Sequence, residues 1–156
     1  MLRKLVLVGG VALLAAGTAA AGTNATASLS SSSAGAKSVS LTIVLRDAVL
    51  QCGKLNARTL TVELPLAMRV PRSIPAGAVR VGGRPVAAVQ TEGTTLVLDL
   101  RAVTGVTCDS MVIGSARIQV ARAARLGNPA RSGTFAFTVE AKPRGQVWRG
   151  SLVVRR

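Results

Sequence analysis

Apolar side chains along this sequence recur at every second position in short runs, with Gly, Pro, Ser and Asn between the runs. Val39–Leu45 alternates at its start, and Thr59–Leu64 alternates cleanly, so that Leu60, Val62 and Leu64 share one face. Thr94–Leu100 puts Leu96, Leu98 and Leu100 in phase, Ala116–Val120 alternates, and Thr134–Val139 turns Phe135, Phe137 and Val139 inward. Gln146–Val154 supplies the last segment, with Trp148 as a core aromatic. Ala78–Val81 runs into Gly82-Gly83, a pair suited to the positive φ angles of a two-residue hairpin, and Pro85–Val89 is the expected return strand. Period-two segments at intervals of roughly 8–20 residues predict an all-β sandwich or barrel of about seven to nine strands. A helical period is nowhere sustained; Val120–Leu126 fits one short turn, closed by Gly127-Asn128-Pro129. Pro71 and Pro75 cannot sit in a central strand, so Pro71–Pro75 is expected to carry the chain from one sheet to the other.

The N-terminal end follows a different pattern. Arg3 and Lys4 precede an apolar run from Leu5 to Leu14, and Ala19-Ala20-Ala21 offers the small residues of a processing site. This is the layout of a secretory signal peptide, residues 1–21, with cleavage expected between Ala21 and Gly22. The apolar run is short for a bilayer span of about 20 residues and contains Gly9 and Gly10. Residues 22–37 are Ser, Ala, Thr and Gly with little to bury, and read as a flexible spacer. Residues 38–156 are then one domain, long enough for a single core.

Export changes how the cysteines and charges are read. Cys52 and Cys108 are the two cysteines of the chain, and in an oxidising compartment one structural disulfide between them is expected. Closing a loop of that length stabilises by roughly 4 kcal/mol in the chain-entropy picture. Their wide separation lacks the Cys-x-x-Cys spacing of a redox pair. The formal charge is +14, carried by 20 cations against 6 carboxylates. Most of the cations are Arg, which beside abundant Ala, Val and Gly has the look of high-GC codon usage. Even so, a cationic exported domain is drawn to anionic cell-wall or extracellular polymers. Arg117, Arg122, Arg125 and Arg131 are close enough in sequence to form a basic edge for such contacts. Sequence-specific nucleic-acid binding is not expected, since the few aromatics belong to the core and leave no stacking platform.

Chemistry is thinly provided for. There is no histidine, the usual general base and commonest metal ligand. Asp47, Glu63, Glu92, Asp99, Asp109 and Glu140 are dispersed, whereas glycoside hydrolysis needs two carboxyls facing across a cleft. Glu63 and Asp99 fall on neighbouring predicted strands, both on the solvent side beside arginines. No loop concentrates oxygens as calcium requires, and Cys108-Asp109-Ser110 is too sparse. No catalytic, cofactor or metal residues are therefore assigned. The cations are scattered among strands, unlike those of a membrane-disrupting amphipathic helix. Asn24-Ala25-Thr26 fits the glycosylation acceptor pattern, which carries little weight in a bacterial-looking chain.

Two blocks point to a family. One is Leu64-Pro65 followed by Val70-Pro71-Arg72-Ser73-Ile74-Pro75-Ala76-Gly77-Ala78-Val79-Arg80-Val81-Gly82-Gly83. The other is Ala124–Pro129 followed by Gly133–Val139. Together they resemble the immunoglobulin-like modules of exported and surface-attached bacterial proteins, with an apolar-Pro strand end, a P-x-x-I-P-A crossover and a V-x-V-N-G hairpin. Gly82, Arg125 and Phe135 stand where that pattern has Asn, Gly and Tyr. The resemblance implies an immunoglobulin-like antiparallel β-sandwich with a structural or adhesive role and no catalytic residues. The resulting expectation is a non-catalytic, secreted or envelope-associated structural or interaction module. It has no transmembrane segment after signal cleavage. The alternative is a small secreted hydrolase or inhibitor with a loop-borne site, and the missing histidine counts against its enzymatic form.

Overall fold

The computed structural model describes residues 23–101 and 111–156. The expected signal peptide, residues 1–21, and Cys108 lie outside the described residues, so the cleavage and the pairing of Cys52 remain expectations from sequence. Eleven strands occur among the described residues. They are β1 Ala25–Leu29, β2 Leu41–Gln51, β3 Lys54–Leu55, β4 Thr59–Glu63, β5 Val79–Val81, β6 Arg84–Pro85, β7 Ala88–Glu92, β8 Thr95–Asp99, β9 Met111–Val120, β10 Gly133–Lys142 and β11 Gln146–Val154. Every strand pair is antiparallel. Sheet 1 runs β1-β2-β9-β5-β6, with β3 added to β2, and sheet 2 runs β11-β10-β4-β8-β7.

The two sheets pack their apolar faces together, as the alternation requires. Sheet 2 contributes Leu60, Val62, Leu96, Leu98, Phe137, Val139, Trp148 and Leu152, and sheet 1 contributes Leu41, Ile43, Leu45, Val79 and Ile118, all buried. Phe135 is only half-buried, because it lies toward the open end of its strand. Trp148 is fully enclosed, and its indole N–H donates to the Arg46 carbonyl at 2.7 Å. That bond satisfies a polar group that burial would otherwise strand.

Three expectations are corrected. The strand expected to end at Leu45 continues to Gln51. Arg46 and Asp47 form a bulge there, with Asp47 at φ 52°, so two exposed residues in a row interrupt the alternation before Ala48 and Leu50 resume the inward phase. The return strand expected over Pro85–Val89 is only the two-residue β6, paired as Val81–Arg84 and Arg80–Pro85 across Gly82-Gly83. Pro85 has no N–H to continue the ladder, and the chain moves to sheet 2, where the Ala87 N–H bonds the Asp99 carbonyl at 2.8 Å. The Pro71–Pro75 segment does join the sheets, since β4 lies in sheet 2 and β5 in sheet 1.

The third correction concerns residues 22–37. Ala25–Leu29 is an edge strand paired with Leu41–Leu45, and no spacer separates it from the sandwich. Its small side chains are what the position needs. β1 crosses so close to β11 that a Cβ on Gly150 would stand 2.6 Å from the Ala25 carbonyl oxygen. Composition alone suggested a linker because the strand is held by backbone bonds and close approach, with few large apolar groups. The following residues are also tied down: the Asn128 amide donates to the carbonyls of Ser31 (2.8 Å) and Ser33 (2.9 Å). Arg155 N–H bonds Ser32 O at 2.7 Å, and Ala34 N–H bonds Arg155 O at 2.8 Å.

The expected turn within Val120–Leu126 is a single 3₁₀ turn, Arg122–Ala124, ended by Arg125 in the left-handed region at φ 55°. A second one, Ala76–Ala78, precedes β5.

Candidate functional surface

Strand register decides which charged residues share a face. On β9, Ile118 and Val120 point into the core, so Arg117 and Gln119 point out of sheet 1. Arg117 pairs with Val44 on β2, and its carbonyl accepts from the Gly82 N–H at 2.9 Å. Gln119 pairs with Arg80 on β5, which places the Arg80 and Arg117 guanidiniums on one outer face as diagonal neighbours. Arg122 and Arg125 follow in the turn that ends β9, with the Arg125 N–H bonded to Arg122 O at 2.9 Å. All are exposed.

The structure therefore brings Arg117, Arg122 and Arg125 onto β9 and its terminal turn, but not Arg131. Arg131 lies two residues before β10, in the loop that enters sheet 2. Arg80 is the member that sequence proximity missed. The signal for it was present: in Val79-Arg80-Val81 the arginine occupies the outward position of an alternating strand. Beside it, Ser40, Thr42, Arg80 and Gln119 line a shallow recess of about 250 Å³. Such a recess offers hydroxyls, an amide and a cation to an anionic polymer.

The carboxylates lie elsewhere. Glu63, Glu92, Asp99 and Glu140 all point out of sheet 2, as the inward phase of Val62, Leu98 and Val139 requires. Glu63 pairs with Thr95 and Asp99 with Thr59, so the two expected strand neighbours sit at opposite ends of the β4–β8 ladder. They do not face each other across a cleft. Asp99 is beside an arginine as expected: the Arg101 Nε donates to its two oxygens at 3.0 and 2.9 Å. The hydrogen bonds from Arg101 hold the Asp99 carboxyl below its usual range, and Asp99 in turn raises Arg101. Glu63 instead accepts from the Thr138 hydroxyl at 2.8 Å. Among the described residues the ion pairs are Asp99–Arg101 and Glu140–Lys142, so Arg80, Arg117, Arg122 and Arg125 keep their charge unpaired. No cluster of metal-ligating side chains occurs among the described residues.

No protein-family model matches the chain, and no curated protein matches it significantly. Among solved structures, the crystal structure of BslA, a bacterial hydrophobin, is similar with a TM-score of 0.52. The likeness spans 84% of this chain and 96% of that one at 15% sequence identity. At that identity it shows a shared β-rich fold.

Proposed function

We propose that this chain is an exported, non-catalytic structural or interaction module of the bacterial envelope, drawn to acidic polymers by the outer face of sheet 1. One observation carries the reading: Arg80, Arg117, Arg122 and Arg125 project from β5, β9 and the turn after β9 with no carboxylate partner among the described residues. Guanidiniums with no carboxylate partner can bond phosphate or carboxylate groups along a polymer, Arg80 through the donors it does not commit to the Gly83 carbonyl. The fold likeness to a bacterial hydrophobin supports a structural role over an enzymatic one. The placement of Glu63 and Asp99 at opposite ends of a ladder weighs against a catalytic carboxylate pair. Kinship with immunoglobulin-like bacterial modules belongs to the same proposal, supported by the proline crossover that links the sheets.

The test is retention of the secreted protein on anionic cell-wall material at two salt concentrations. Retention is expected at low salt and should be lost near 1 M, where screening acts within about 3 Å. Charge reversal at Arg80 and Arg117 should lower it at low salt. Salt-independent retention would refute the charge-driven reading. A mass spectrum of the secreted protein tests the accompanying proposals. It should lack residues 1–21 and show Cys52 and Cys108 oxidised as one cross-link.

A further inference from the structure

The end of β9 away from Arg122 and Arg125 carries apolar side chains that the arginines do not explain. Met111, Val112 and Ile113 open β9 with 47%, 49% and 75% of their surface in water. Soluble domains seldom leave successive large apolar side chains so open without a use for them. Register sets Met111 opposite Gln51 and Ile113 opposite Val49, on the outer side of sheet 1.

Cations surround this apolar end. The Met111 sulfur contacts Asn56 Nδ2 at 3.3 Å and Arg144 Nη1 at 3.9 Å, so a guanidinium stands against the exposed thioether. Arg144 lies in the β10–β11 turn, just past Lys142 at the end of β10, whose carbonyl accepts the Arg58 N–H at 2.8 Å. The Arg58 carbonyl in turn accepts from Leu100, next to Arg101. Lys142 and Arg101 are paired with carboxylates, while Arg58 and Arg144 have none among the described residues. β1 runs antiparallel to β2, so the chain also enters the sandwich from the side of this end.

We propose that this end docks on a bilayer surface containing anionic phospholipid. Met111 and Ile113, on the outer side of sheet 1, would enter the acyl boundary while Arg58 and Arg144 meet the headgroups. Both halves of the surface are needed for that partner. A soluble polyanion would leave Met111 and Ile113 in water, and a neutral apolar interface would make no use of the guanidiniums. Monotopic attachment draws on this combination of buried apolar area and attraction to anionic lipid.

The experiment is co-sedimentation of the full secreted chain with vesicles of phosphatidylcholine alone or mixed with phosphatidylglycerol. Binding is expected to the mixed vesicles and to be weak on phosphatidylcholine. Ile113→Asp should weaken binding about tenfold, since a side chain in the acyl boundary becomes a carboxylate. Arg58→Glu with Arg144→Glu should weaken it by at least about tenfold, given a several-fold contribution per cation near such a surface. Arg122→Glu with Arg125→Glu, in the turn at the far end of β9, should bind the vesicles nearly as before. A circular-dichroism melt confirms that each variant folds. The proposal is overturned by equal binding to both vesicle types, by no binding to the mixed ones, or by unchanged binding of the Ile113 or the Arg58 and Arg144 variants. It is also overturned if the Arg122 and Arg125 control loses as much. Failure here leaves wall retention through Arg80 and Arg117 untouched, so the two proposals fail separately.

Discussion

Gly150 shows how one residue decides the seam between the sheets. A Cβ there would sit 2.6 Å from the Ala25 carbonyl oxygen and 2.6 Å from the Phe137 ring. Neither neighbour yields easily, because one is backbone of a paired strand and the other is a buried aromatic. Gly150→Ala should therefore destabilise the fold by about 1–3 kcal/mol, the usual cost of overpacking a filled core. Equilibrium urea unfolding measures it, and β1 should separate from β11 as the clash is relieved. Asp99 offers a milder test. Its folded carboxyl is held below the ordinary value of 3.8 by the bonds from Arg101. The contribution is thus fully present above that value and is lost as pH falls through the lowered folded one. The effect on stability should be small, because both side chains face water and such pairs are well screened. A carboxyl-carbon NMR titration should find the Asp99 midpoint low, and Arg101→Ala should move it back up.

At the level of elements, the segment after β1 behaves as a strap held by backbone bonds to Arg155 and Pro129 and by the Asn128 side chain. The Asn128 amide donates to the Ser31 and Ser33 carbonyls from a fully buried position. Asn128→Ala leaves both carbonyls without that donor and should cost about 1–3 kcal/mol. Hydrogen exchange should then accelerate at Ala34 and Gly35, whose N–H groups bond Arg155 and Pro129. Asn128→Asp should cost more, since a carboxylate would face two carbonyl oxygens. This strap also marks what the sequence could not disclose. Strands with large alternating apolars, such as Thr59–Glu63 and Thr95–Asp99, were legible because burial writes its period into side-chain type. β1 was not, because Ala25, Ala27 and Leu29 bury little and the strand is held by the β2 ladder and the Gly150 gap. The extension of β2 was hidden by its bulge, where Arg46 and Asp47 are adjacent and both exposed. Arg80 was missed in the basic face for a related reason. Its proximity to Arg117 is a matter of strand pairing, and pairing between distant segments is not written in local pattern.

Over the whole molecule the described carboxylates are sorted by sheet. Four of them point out of sheet 2, where Arg149 also faces outward, while Arg80 and Arg117 point out of sheet 1 with Asp47 as the one acidic group near them among the described residues, at the bulge. A bound polyanion should therefore lie on one side of the sandwich. Cross-linking of the protein held on wall material should accordingly label residues of β5 and β9, and spare Thr61 and Thr95 on sheet 2. Sorting of this kind follows from the two-sheet geometry: each strand gives one face to the core and leaves the other to be chosen by partners. The sequence supplied the excess of cations; only the register showed that the described carboxylates were segregated from the arginines of sheet 1.

The bond between Ser32 and Arg155 bears on the order in which the sandwich can close. β1 and its strap precede the other described strands, yet they seal against β11 and Arg155, which follow all of them in the chain. Joining segments so far apart carries the loop-closure cost of the whole stretch between them, so this seam should be among the last contacts to form.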